Sequence, residues 1–210
     1  MKRYSAIRIF NKAMEEGDIG MFIGEAVCKE AFAYDRPGNL YLSKHENLLS
    51  VGLGMAMCSK RKIFMFCDDE YFLRNISEAA HIAVSKCENV YLVVLISGVY
   101  TDVTKAPTIY DSIMSLHGIL FNMGFIVHDY KRQFRNTRNP IREINLIWNR
   151  IRGPLAVLLE VDKGTKNLPA DYLSEKKSLL RTKEFIVSNE ALAHNYEPPI
   201  SLEEAFGREE

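Results

Sequence analysis

The sequence has no excess of charge of either sign. Its 210 residues include 27 Lys plus Arg and 27 Asp plus Glu, so the formal net charge at pH 7 is zero. A strongly basic balance is typical of proteins that bind nucleic acid or anionic membrane surfaces. The absence of that balance argues against both kinds of partner, and we expect no nucleic acid and no membrane among them.

Long apolar runs are also missing. The longest, VYLVVLISGVY at residues 90–100, is far shorter than the ~20 residues that a membrane-spanning helix needs. Residues 1–18 are basic at the start but have neither the continuous apolar core nor the small-residue cleavage site of a signal peptide. These two absences predict a cytoplasmic protein.

Cysteine is scarce and scattered. The four cysteines, Cys28, Cys58, Cys67 and Cys87, form no Cys-x-x-Cys pair, which argues against a zinc site and against a disulfide-stapled secreted domain. We expect reduced thiols, most of them packed as small hydrophobic side chains. Cys67 differs because it adjoins a run of carboxylates.

What the sequence does have is a regular alternation of helical and strand patterns. Short apolar runs, typical of fully buried strands, lie between helical segments at residues 19–24, 40–42, 62–67, 90–97, 125–130 and 154–162. Such strands are typical of a parallel sheet with helices on both faces. We predict a three-layer α/β fold with a mostly parallel sheet, as one domain over residues 1–185 and a peripheral C-terminal extension over 186–210.

Polar residues follow several of these strands directly. Ligands of open parallel sheets bind beyond the carboxyl ends of the strands, which directs attention to GEAV at 24–27, DDEY at 68–71 and SGVYTD at 97–102. The last two turns follow successive strands joined by one helical segment, so we expect Asp69 and Ser97 to lie close together. With the carbonyl of Gly98 they would form an oxygen-rich site suited to magnesium or calcium.

The order of these segments resembles the diphosphate-binding (PP) domain of thiamine-diphosphate-dependent enzymes. The family motif is a Gly-Asp-Gly turn, a helix that begins Asn-x-x-Glu, and a strand closed by Asn-Asn-Gly. DDEYFLRNISEAA at 68–80 aligns with it through Asn75 and Glu78, and VVLISGVYTDVTKAPT at 93–108 aligns through Gly98 and Tyr100. The resemblance covers roughly residues 3–185 and is strongest to the small cofactor-binding subunit of phosphonopyruvate and sulfopyruvate decarboxylases.

This resemblance implies thiamine diphosphate and magnesium as cofactors. It implies metal-side roles for Asp69, Ser97 and Gly98, and cofactor contacts for Asp68, Glu70, Ser43, His45, Gly98 and Tyr100. The glutamate that activates the cofactor lies in another domain in this family. The resemblance therefore implies a pyrimidine-binding-type partner subunit or a homo-oligomer, a small 2-oxo acid as substrate, and no assigned catalytic residue in this chain.

The cofactor-contacting turns depart from the family pattern. Asp68 and Glu70 replace the two glycines beside the metal-binding aspartate, Ile96 and Ser97 replace the two asparagines, and SKHE at 43–46 replaces Gly-Ser-Met-Gly. Glycine lets a diphosphate approach the backbone, whereas neighbouring carboxylates repel each other and the diphosphate. Ser97 keeps an oxygen ligand, but Ile96 does not.

Two hypotheses remain open at this point. In the first, the three carboxylates hold a metal, and the chain is the PP-type subunit of a two-subunit thiamine-diphosphate-dependent 2-oxo acid decarboxylase or carboligase with a remodelled site. In the second, the cofactor site is lost and the chain is a non-catalytic homologue that acts as a structural or regulatory partner. In both, relatives that bind cofactor between subunits lead us to expect an apolar contact surface near residues 46–58 and 107–122.

Three further features have more than one interpretation. His45 is either an acid-base group facing substrate or a surface histidine. The basic segment KRQFRNTRNPIR at 131–142 is interpreted as a solvated face or a subunit contact rather than a nucleic-acid site. The polar segment at 194–210, HNYEPPISLEEAFGREE, is either a mobile tail or an arm that binds a partner.

Overall fold

The structure is a computed structural model that describes residues 1–42, 47–98, 107, 115–130, 140–162 and 173–188. Several predicted features lie outside these described residues: Ser43, His45, Tyr100, the first nine residues of the basic segment, and residues 189–210.

Six strands form one sheet in which every pair of neighbours is parallel. They are β1 (Ile19–Ile23), β2 (Asn39–Leu42), β3 (Ile63–Asp68), β4 (Val90–Ile96), β5 (Ile126–Asp129) and β6 (Leu155–Glu160), in the spatial order β2-β1-β3-β4-β6-β5. All residues of β1, β2 and β4 are buried. Burial on both faces accounts for the continuous apolar runs, and the predicted α/β fold with a parallel sheet is confirmed.

Helices cover both faces of the sheet. They are α1 (Arg3–Ala13), α2 (Glu25–Phe32), α3 (Leu48–Cys58), α4 (Asp69–Arg74), α5 (Ile76–Ser85), α6 (Leu116–Met123), α7 (Pro140–Arg150) and α8 (Glu175–Ser188). Helices α3, α5 and α6 bury their apolar residues on one face, and α1, α2 and α7 bury theirs on the other. On the second face aromatic rings pack between strands and against α7: the ring centroids of Phe22 and Phe66 are 4.6 Å apart, and those of Phe64 and Trp148 in α7 are 4.3 Å apart.

The strand order places two changes of direction in the sheet. The chain goes from β1 outward to the edge strand β2 and then returns to β3 on the other side of β1. A similar reversal occurs when the chain passes from β4 to the edge strand β5 and back to β6. Ligand sites of α/β proteins occur at the carboxyl ends of strands near such reversals. The acidic residues that begin at the end of β3 lie at the carboxyl ends of the strands.

Helix α8 was not predicted from the sequence. It packs against the edge strand β2, where the Ser178 hydroxyl accepts the Tyr41 backbone N–H at 2.8 Å. Arg181 and Thr182 donate to the backbone carbonyl of Asn39 at 2.9 and 3.4 Å. Side chains of α8 thus take the backbone groups that an exposed edge strand offers to another strand.

Two further predictions concern the thiols and the membrane. All four cysteines are free thiols, with Cys28, Cys67 and Cys87 buried and Cys58 exposed, as expected. Within the described ranges, no helix has the length and apolar character needed to cross a membrane.

Candidate functional site

The acidic residues after β3 begin a helix rather than forming an open turn. Asp68 is the N-cap of α4: its backbone is extended and its Oδ1 accepts the Tyr71 backbone N–H at 2.8 Å. Aspartate is among the best N-cap residues, and acidic side chains in the first helical turn interact favourably with the helix dipole. Local helix chemistry therefore accounts for three successive carboxylates at this point in the chain.

Asp69 connects the carboxyl ends of β3 and β4. Its Oδ1 accepts hydrogen bonds from the backbone N–H and the hydroxyl of Ser97, both at 3.1 Å, and its Oδ2 accepts the Gly98 N–H at 3.1 Å. The Asp69 residue is fully buried, and Gly98 has a φ of 72°, a backbone region that favours glycine. The structure brings Asp69, Ser97 and Gly98 together as expected, and their role toward a metal stays a prediction.

Glu70 has a cationic partner on its own helix. Its Oε1 lies 2.8 Å from Nη2 of Arg74, one helical turn further along. Asp68 is not paired in this way, and burial raises its pKa, with the charges of Asp69 and Glu70 adding to the effect. The Tyr71 N–H and the nearby Arg3 guanidinium oppose that rise. Each of the three carboxylates thus has a hydrogen-bond donor supplied by the chain itself.

The neighbouring thiol is inert. Burial raises the pKa of Cys67 well above its usual value, and the charges of Asp68 and Asp69 raise it further. A thiol is a nucleophile or a metal ligand only as the thiolate. Cys67 is therefore a protonated thiol that packs in the core.

Two residues of this region act in a way the sequence analysis missed. The Tyr71 hydroxyl accepts the backbone N–H of Leu48 at 2.8 Å, and Glu78 accepts the backbone N–H of Ser50 at 3.2 Å. Together they cap the amino end of α3, the helix that follows the segment 43–46. Glu78 was visible as a match to the family motif, but no sequence signal marks Tyr71 as a cap for a helix that begins 23 residues earlier.

The residues at this edge do not fit a magnesium diphosphate group held as the family motif requires. Both oxygens of Asp69 accept hydrogen bonds from the end of β4. The Asp68 carboxylate accepts the Tyr71 backbone N–H at the amino end of α4. Among the residues that the structure describes, no three His, Cys, Asp or Glu side chains converge to hold a metal ion.

Comparisons with known proteins give likeness in fold. No protein-family model and no curated protein sequence matches the chain. Among solved structures, a candidate thiamin diphosphate-dependent enzyme from Mycobacterium smegmatis matches with a TM-score of 0.62 and 12% identity over 78% of this chain. Benzoylformate decarboxylase from Polynucleobacter necessarius matches with a TM-score of 0.62 and 10% identity over 79%.

A third structure extends the comparison. The 2-oxoglutarate:ferredoxin oxidoreductase from Magnetococcus marinus, solved with 2-oxoglutarate, coenzyme A and succinyl-CoA, matches with a TM-score of 0.59 and 13% identity over 84% of this chain. The matched part is 32%, 34% and 66% of the three proteins, in the order given. The chain therefore has the thiamine-diphosphate-binding fold and spans about one third to two thirds of these proteins.

Proposed function

We propose that this chain is a PP-type subunit that acts as a structural or regulatory partner in a larger assembly, with its former cofactor anchor converted into an internal connection. The observation that carries the proposal is the Asp69 carboxylate, which accepts three hydrogen bonds from Ser97 and Gly98. These bonds fasten β3 to β4. A carboxylate engaged in this way serves the fold without a metal.

The electrostatics of the acidic residues support the same conclusion. Two like charges 4 Å apart repel by about 4 kcal/mol at an effective dielectric constant of about 20. A diphosphate would add negative charge beside the carboxylates of Asp68, Asp69 and Glu70, and the one pairing of Glu70 with Arg74 would not offset that added charge. Two glycines at the flanking positions would avoid both the charge and the side-chain bulk.

A second candidate function is the PP-type subunit of a two-subunit thiamine-diphosphate-dependent 2-oxo acid decarboxylase or carboligase with a remodelled site. The observation in its favour is that Asp69, Ser97 and Gly98 meet at two neighbouring strand ends, where the resemblance implies the metal side. Benzoylformate decarboxylase, one of the structural neighbours, is itself a decarboxylase. In this hypothesis a pyrimidine-binding-type subunit would complete the site.

Both candidates require a subunit contact, and α3 offers one. Its sequence, LLSVGLGMAMC, contains no charged residue. The apolar residues Val51 and Met57 nevertheless have about 40% of their surface exposed to solvent. Helices that are apolar all round are normally covered. Phe121 on α6 is also exposed, so apolar side chains lie within both predicted contact ranges. We propose that a pyrimidine-binding-type subunit or a second copy of this chain covers them.

Titration calorimetry with thiamine diphosphate and magnesium tests the choice between the two candidates. We expect no magnesium-dependent binding by the wild-type protein, alone or with any subunit that co-purifies with it. The variant Asp68→Gly/Glu70→Gly/Ile96→Asn/Ser97→Asn restores the Gly-Asp-Gly and Asn-Asn-Gly turns of the family motif. We expect magnesium-dependent binding to appear in this variant, or its affinity to rise at least tenfold, about 1.4 kcal/mol. Tight binding by the wild type would overturn the proposal in favour of the decarboxylase.

Two controls make the comparison interpretable. Glu16→Gln/Glu184→Gln removes two negative charges at exposed positions away from the acidic residues, and it should not create a binding site. Because Ile96 is buried in the core, the quadruple variant is first checked for cooperative thermal unfolding. If a folded quadruple variant binds no better than this charge control, the turns after β3 and β4 are not what excludes the cofactor.

A further inference from the structure

The outward side of α7 forms a groove that the proposed function does not use. Its volume is about 330 Å³, and it is lined by Ile141, Arg142, Asn145, Leu146, Asn149 and Arg150. These residues recur at spacings of three and four, so they share one face of the helix. Leu146 is 44% exposed, which leaves an apolar floor between two guanidinium groups.

The groove carries positive charge. Arg142 and Arg150 lie on its face, whereas the one acidic residue of α7, Glu143, is not among its lining residues. Burial raises the pKa of Tyr130, and the charge of Glu143 raises it further, so that carboxylate lies near the residue that follows β5. A ligand with both apolar and anionic side chains would match this surface.

We propose that the C-terminal segment of this chain, residues 189–210, binds in the α7 groove. The segment contains six glutamates and one arginine, so its net charge is opposite to that of the groove. It also contains apolar residues that could cover Leu146: Leu192, Ile200, Leu202 and Phe206. Opposite charges at the rim and apolar contact at the centre are the pattern of a specific protein interface.

The end of α8 is close enough for this segment to reach the groove. Arg61 donates to the backbone carbonyl of Ile186 at 3.3 Å, and the next residue, Lys62, donates to Oδ1 of Asn149 at 2.9 Å. The adjacent residues Arg61 and Lys62, which precede β3, thus contact α8 and α7 respectively. An extended chain spans about 3.3 Å per residue, so the residues from 189 to 210 reach about 70 Å when extended, which is longer than the two side chains that connect Ile186 and Asn149 to Arg61 and Lys62.

Limited proteolysis of the full chain tests the proposal. Chymotrypsin cleaves after Tyr196, which lies inside the segment, and intact-mass spectrometry follows that cut. We expect Arg142→Glu/Arg150→Glu to raise the rate of cleavage at Tyr196 at least tenfold, because the segment is then repelled from the groove and spends more time accessible. Adding Glu203→Lys/Glu204→Lys to that variant reverses the charges again and should restore protection.

A matched control reverses charge elsewhere. Lys176→Glu/Lys177→Glu changes two exposed lysines at the start of α8 and should leave the Tyr196 rate unchanged, and thermal unfolding confirms that all variants fold. Equal cleavage of every variant would overturn the proposal, as would protection that survives reversal of both groove arginines. Protection that increases with protein concentration would also overturn it, because the segment would then bind a second copy.

Discussion

Replacing Asp69 with asparagine distinguishes two hypotheses: that Asp69 holds two strand ends together, and that the acidic residues form a cation site. The first predicts that the free energy of unfolding falls, and the second that it rises or stays the same. In the wild type, Oδ1 of Asp69 accepts two hydrogen bonds from Ser97 and Oδ2 accepts one from Gly98. Asparagine keeps an oxygen for Ser97 but turns an amide N–H toward the Gly98 N–H. If Asp69 serves to fasten the two strand ends, the variant unfolds more easily.

The magnitude follows from two opposing contributions. A donor left without its acceptor costs about 1–3 kcal/mol, and the two bonds that remain lose the strengthening that a charged acceptor provides. Against this, removing one charge relieves repulsion from Asp68 and Glu70. Since the Tyr71 N–H and Arg74 already interact with those carboxylates, we take the relief as about 1 kcal/mol, the value for unit charges 4 Å apart in water. The free energy of unfolding should fall by about 1–2 kcal/mol.

Urea denaturation at pH 7 in the presence of a chelator measures this difference. Asp68→Asn is the matched control, because asparagine is an equally good N-cap and because burial raises the pKa of Asp68, so its charge is unfavourable in the folded state. We expect that variant to be as stable as the wild type or more stable. If Asp69→Asn is also as stable or more stable, the carboxylates form a repelling cluster that awaits a cation, and the reasoning is refuted.

Two other predictions concern residues away from the acidic edge. Burial raises the pKa of Asp18 from 3.8 to about 6, so the folded state holds its proton more tightly, and stability should fall by up to about 3 kcal/mol as pH rises from 4 to 7. Asp18→Asn keeps an acceptor for the Glu15 N–H and should flatten that decline; parallel pH profiles of urea unfolding would contradict this. Ser178→Ala leaves the Tyr41 N–H without its acceptor and should cost about 1–3 kcal/mol, with faster hydrogen exchange at that amide. Ser188→Ala, on the exposed side of the same helix, should change stability by less than about 0.5 kcal/mol; equal effects of the two serine variants would rule out the proposed role of Ser178.

The fold was predictable because the strands of a parallel sheet are buried on both faces and therefore consist of uninterrupted apolar runs, which are visible in the sequence. Strand β4, with all seven residues buried, is the clearest case. Helix α8 lacks such a signal, because the residues it buries are Ser178, Thr182 and Phe185, two of which are polar. Its contact with β2 depends on hydrogen bonds between distant parts of the chain, and no local pattern encodes them.

The candidate site was predictable in position but not in detail. Residues that follow two adjacent parallel strands must lie near each other, which sufficed to bring Asp69 and Ser97 together. The hydrogen-bond partners of these carboxylates were not predictable, because they depend on the direction of each side chain. Asp68 accepts a hydrogen bond from α4, whereas Asp69 accepts hydrogen bonds from the end of β4. An acidic run expected to be an open turn is in fact the start of α4.

The hydrogen bond from Tyr41 to Ser178 also bears on how the protein is made. The two residues are 137 positions apart, and at a synthesis rate of about 5–20 residues per second the ribosome needs roughly 7–27 s to pass from one to the other. During that interval the backbone of β2 has no cover on its outer side, and the nascent chain can pair with another strand there. The edge of β2 is therefore protected only after α8 has been synthesised and has docked.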